Sequence, residues 1–134
     1  MREIKFRLWD KLGNKIVTPN KNIYLNLLGQ VVTDNPENGE IIPFKNDTYE
    51  LSQFTGLQDV NGKEVYEGDI VRASYSIMQY EISKVEFKRG IFFVLKNGRY
   101  HPLSEFMYNS NDRTKDIEII GNIYENPELL HEEN

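Results

Sequence analysis

Between residues 53 and 73 the chain reads QFTGLQDVNGKEVYEGDIVRA. Gly56, Gly62 and Gly68 recur every six residues, each beside a polar turn-former, and the stretch has no helical period. Glycine reverses the backbone where a side chain would clash, so the apolar pieces between these points are long enough for strands and too short for a helix. Asn61-Gly62 suits a turn with positive φ, and the whole stretch from Gln53 to Asp69 reads as a tightly turning connection. At its end Asp69 is placed to accept hydrogen bonds from turn amides before Ile70 and Val71 enter the core.

The rest of the chain continues the pattern. Ile4, Phe6 and Leu8 alternate with Lys5, Arg7 and Trp9, the period of two expected of a strand, and Gly13-Asn14 marks a turn. NIYLNLL alternates again through Ile23, Leu25 and Leu27, residues 30–33 are placed to pair back onto it, and DNPENGE reads as an exposed loop. After Tyr49 and Leu51, the runs DIVRASY, QYEISKVEF and IFFVLK predict further strands. The apolar phase slips between Ile82 and Val85, which predicts a bulge or bend. IFFVLK is apolar on both faces, as a central strand would be, and Asn97-Gly98 predicts a hairpin onto GRYHPL. Leu103, Phe106 and Met107 have helical spacing, NSNDRTKD reads as loop, IEIIGNIY as a last strand interrupted by Gly121, and NPELL as a short helix capped by Asn126. Many short strands and little helix predict a small barrel or a pair of packed antiparallel sheets.

A chain of 134 residues fits one domain with its own core. It contains no apolar run near the roughly 18 residues of a membrane span, and its first fifteen residues lack the apolar core of a secretion signal, so the mature protein is expected to start at Met1. Cysteine is absent, which removes disulfides, thiolate nucleophiles and thiolate zinc sites and favours a cytoplasmic location. His101 and His131 have no metal-ligand spacing, and neither a metal nor another cofactor is expected. The net charge of −5 is unevenly spread: residues 1–15 hold five basic and two acidic side chains, residues 116–134 six acidic and no basic ones. Such ends would attract each other, or join one chain's head to another's tail, although exposed pairs contribute little.

Three segments, MREIKFRLWDK, QFTGLQDVNGKEVYEGDIV and IIGNIYENPELL, resemble in that order the YopX family of phage and prophage proteins. The resemblance spans nearly the whole chain and is weakest from about Asn20 to Asp47. It implies a mainly β fold: a small antiparallel SH3-like barrel with additional N-terminal strands and one or two short helices. It also implies a bacteriophage or prophage origin and work in the host cytoplasm. No catalytic residue carries over from it. Residues 1–134 are read as one YopX-like domain, divisible into an N-terminal β subregion, 1–48, and a barrel-forming region, 49–134.

Catalytic patterns find no positive support. Glu67 and Asp69 would share a side of a strand, but Gly68 between them marks a turn, and Ser104 near His101 lacks a nucleophile elbow. Nucleic-acid binding is a contender, since small barrels set aromatics among basic groups, as Trp9 stands between Arg7 and Lys11 and Arg72 near Tyr75. The acidic total opposes it. A protein partner, host or phage, fits better: seven Phe, eight Tyr and one Trp exceed what a core of this size needs, and open sheet edges would also allow self-association. The candidate binding surface is formed by Trp9, Gln53, Thr55, Asp59 and Arg72.

Overall fold

The computed structural model describes residues 3–20, 22–44, 48–96, 98–106 and 115–131. They are mainly β, with antiparallel pairing throughout the described ladders and two 3-10 turns. The chain divides into two compact units, Lys5–Ser52 and Gln53–Asn134, the latter with the first four residues.

In the Lys5–Ser52 unit, β1 (Phe6–Asp10) and β2 (Lys15–Val17) form a hairpin in register Leu8 with Val17 and Asp10 with Lys15. Its turn is held by Asp10, whose Oδ1 accepts from the amides of Leu12 and Gly13, both at 3.0 Å, while Asn14 takes a φ of 53°. β3 (Tyr24–Leu25), β4 (Val31–Asp34) and β5 (Ile41–Pro43) make a three-stranded sheet around the β4 centre. The return of residues 30–33 onto NIYLNLL is therefore present, but the expected alternation through Leu27 is not. Asn26 ends it: its Oδ1 accepts from Leu28 N at 2.9 Å and Gln30 N at 3.0 Å, curling the chain into a turn that leaves Leu27 and Leu28 exposed.

β6 (Tyr49–Gln58) corrects a second expectation. QFTGLQ is strand rather than turning connection, because Gly56, at φ 88°, absorbs a bulge at the register shift between Phe54 and Gln58 without ending the ladder to β7 (Glu64–Tyr66). The true reversal is confined to residues 59–63 around Asn61-Gly62. β8 (Asp69–Ser76) then lies between β9 (Gln79–Lys84) and β13 (Asp116–Asn122). Val71 and Ala73, two residues apart, face the same side as their partners Ile119 and Ile117; three of the four lie in the buried cluster with Val65, Val85, Val94, Leu103 and Phe106, and Ile119 packs against it. Truncating a side chain as large as Phe106 in such a cluster costs about 3–5 kcal/mol.

The phase slip after Ile82 is real. Val85 interrupts the strand, its amide donating to Asp69 O at 2.8 Å and its carbonyl accepting from Gly68 N at 2.9 Å. Beyond it the chain continues as β10 (Glu86–Lys88) in a second sheet with β11 (Ile91–Lys96) at the centre and β12 (Arg99–Pro102) on the far side. One bent segment thus serves two antiparallel sheets and gives a half-barrel. The β11–β12 hairpin is as expected, although Asn97 lies outside the described residues, as do Met107 and residues 109–114 of the expected loop. Leu103–Phe106 is a 3-10 turn whose buried ends, three apart, share one side. Gly121 falls at a register shift in β13. Pro127–Leu130 is the expected short helix, in 3-10 form, but Asn126 does not cap it: its Oδ1 instead accepts from Asn122 N at 3.2 Å.

Candidate functional site

Four of the five surface candidates lie in the Gln53–Asn134 unit and one, Trp9, is half-buried on β1 of the other unit. Thr55 and Asp59 turn their polar atoms to their own backbone. Thr55 Oγ1 donates to Val65 O at 2.8 Å and accepts from Leu57 N at 3.2 Å, bracing the bulge at Gly56. Asp59 is buried; Oδ1 accepts from the amides of Asn61 and Lys63, each at 2.9 Å, and Oδ2 from Ile119 N at 3.0 Å. Its carboxylate closes the turn and fastens it to β13. Gln53 is half-buried and its carbonyl accepts from Glu67 N at 2.9 Å.

Arg72 is the one of the five that presents an exposed charged head. Nη2 meets Glu118 Oε1 at 2.8 Å, the guanidinium lies 5.6 Å from the Tyr80 ring centre, and Glu118 Oε2 accepts from Asn61 Nδ2 at 3.4 Å. The register explains the aromatic partner. Arg72 sits opposite Ile82, and Tyr80, two residues on, points the same way; Tyr75, odd-numbered against Arg72, packs on the core. The pairing of Arg72 with Tyr75 expected from proximity is therefore replaced by Tyr80. Glu67 and Asp69 do not act together: Asp69 is buried and accepts from Tyr66 N at 2.8 Å across the Gly68 turn, where φ is 87°. Among the described residues no group of three acidic or histidine side chains is disposed to hold a metal.

Sequence reasoning passed over the tip of the β8–β9 hairpin. Ile77 and Met78 occupy the turn itself, each 86% exposed, next to Tyr80 at 52%. The legible signal was SIMQY, a reversal between two strand patterns with no glycine, proline, asparagine or aspartate in it. In the other unit a depression of about 320 Å³ is lined by Val31, Pro43, Phe44, Tyr49 and Leu51 among others. Phe44 and Tyr49 meet edge to face at 5.2 Å. Burial, and then the charge of Asp10, raise the Tyr49 phenol above its ordinary value. No lining side chain carries a charge, so the depression offers shape and a phenol but no general base.

These features define an antiparallel β protein with a half-barrel and a surface of exposed apolar and ion-paired side chains. The chain belongs to the YopX protein family, whose pattern it matches over residues 5–131. It is similar to protein EF1440 from Enterococcus faecalis, with 26% identity, a TM-score of 0.63, and coverage of 97% of this chain and 99% of that one. It is likewise similar to protein yopX from Bacillus subtilis, with 22% identity, a TM-score of 0.61 and the same coverage. No curated protein matches. No helix among the described residues is long and apolar enough to cross a membrane.

Proposed function

We propose that this chain is a non-catalytic binding protein, encoded by a phage or prophage and working in the host cytoplasm, that contacts a host or phage protein through the β8–β9 tip and the adjoining Arg72–Tyr80 face. The half-barrel is read as SH3-like. The observation that carries the reading is the Ile77-Met78 pair. Two large apolar side chains stand in water at the end of a hairpin whose β8 strand is buried at Asp69, Ile70, Val71 and Ala73, where a polar turn would serve folding equally well. Met, Tyr and Arg together are the side chains enriched at contact surfaces. The bacterial sources of the similar structures agree with a bacterial host.

The test is affinity capture from infected host lysate with the wild-type chain and with the double variant Ile77→Ser, Met78→Ser, with and without nuclease. Because both side chains are exposed, the variant should unfold within about 0.5 kcal/mol of wild type. A protein held by wild type after nuclease treatment and lost by the variant supports the tip; equal capture by both removes it.

A further inference from the structure

The half-barrel separates charge sharply. Residues 84–101 hold Lys84, Lys88, Arg89, Lys96 and Arg99 against Glu86 alone, a net +4 in a chain of −5, so the remaining residues sum to −9. Folding places all of these cations but Lys84, the last residue of β9, in the β10–β11–β12 meander. Arg89 at φ 52° and Gly90 at φ 81° form a two-residue turn of type I′, which holds Lys88 opposite Ile91 and projects Arg89 from the end. Lys88, Arg89 and Arg99 are all exposed. Glu86 is matched by Lys84 at 3.6 Å, and Glu105, the carboxylate following the meander, lies within hydrogen-bond distance of His101 Nδ1, at 3.0 Å.

The same sheet carries aromatic surface on its outward side. Val94 faces the core, so its neighbours Phe93 and Leu95, with their partners Glu86 and Tyr100, take the opposite face along with Lys88 and Ile91. Tyr100 is 44% and Ile91 45% exposed, and the Phe93 and Tyr100 rings meet at 5.7 Å. Lys88 reaches across: Nζ lies 4.3 Å from the Tyr100 ring centre and donates to its hydroxyl at 2.6 Å. A cation already resting on an exposed ring, with the Arg89 guanidinium at the β10–β11 turn, matches a chain that alternates flat bases with phosphates.

We infer that the outer face of the β10–β12 meander binds single-stranded nucleic acid, a base stacking on Tyr100 while Lys88 and Arg89 meet the backbone phosphates. On binding, the Lys88 ammonium moves from the ring to a phosphate and frees the ring for the base. The surface goes beyond the proposed protein contact, and its residues are separate from the tip, so either site can fail without the other.

Fluorescence anisotropy with labelled oligothymidylate, an RNA oligomer of equal length, the matching duplex and polyglutamate tests it. Single strands should bind at low salt, with Tyr100→Phe close to wild type and Tyr100→Ala weaker by roughly five- to a hundredfold. Arg89→Asn keeps a residue that tolerates positive φ while removing the charge, so it preserves the turn. It should lower the slope of log affinity against log salt by about 0.7. Ile77→Ser should leave binding unchanged. Absence of single-strand binding at low salt, equal binding by wild type and both Lys88→Ala and Arg89→Asn, or tighter binding of polyglutamate than of either single strand would each overturn the inference.

Discussion

Asp59 shows how a residue that looks available in sequence becomes internal in the fold. Three backbone amides converge on its two oxygens, two from its own turn and one from β13, sixty residues away. Asp59→Ala would leave those donors unmatched and should lower unfolding free energy by about 1–3 kcal/mol, measured by urea denaturation. Asp59→Asn keeps one acceptor oxygen and should fall between. Asp69 was readable as a turn acceptor because Gly68 precedes it; Asp59 was not, because its decisive partner, Ile119 N, is distant in sequence. Side-chain direction on β8 was recoverable in principle. Parity alone separates Arg72 from Tyr75, and register, which supplies Tyr80, needs the length of the 77–78 reversal.

At the scale of elements, local chemistry was legible where a turn residue acted alone and illegible where two signals competed. Asn61-Gly62 and the β11–β12 hairpin followed expectation. At Gly56 the turn signal lost to the ladder, since a bulge accommodates positive φ without breaking pairing. At Asn26 the opposite happened: side-chain acceptance by one Asn overrode an alternating run of leucines. The C-terminal end of β13 provides a prediction of its own. A Cβ on Gly121 would lie 2.6 Å from Asn126 Oδ1 and 2.9 Å from Leu129 Cδ1. Gly121→Ala should displace Asn126, break its bond to Asn122 N and loosen Pro127–Leu130, at a cost of about 1–3 kcal/mol. Amide exchange at Asn122 and Leu129 should speed up more than exchange in β8; uniform exchange across β13 and the turn would contradict the steric account.

For the whole molecule, the informative quantity is the direction in which its shifted groups move. Burial raises Tyr49, the hydrogen bond to Asp34 raises Tyr24, and the hydrogen bond to Tyr100 raises Lys88. Each binds its proton more tightly folded than unfolded, so the stability it contributes is complete below the ordinary value near pH 10 and is lost as pH rises through the folded value. Thermal unfolding followed from pH 8 to pH 11 should therefore show a declining midpoint at the alkaline end, and Tyr49→Phe should make that decline shallower. A profile unchanged by Tyr49→Phe would mean that its phenol ionises alike in both states. The mainly β architecture was legible in composition and turn spacing, and the bend before Val85 in the slipped apolar phase, since these are local; that the bend hands one segment between two sheets was not, because it depends on Val85 pairing with Gly68 and Asp69, distant in sequence.

Met78 stands in the solvent at the β8–β9 turn, which makes it chemically addressable without unfolding. Mild peroxide would convert its thioether to the sulfoxide, a mass increment readable in a single peptide, and the reaction would slow as soon as another molecule covered the turn. The chain thus carries its own occupancy gauge, installed by folding at the turn proposed above to meet a partner.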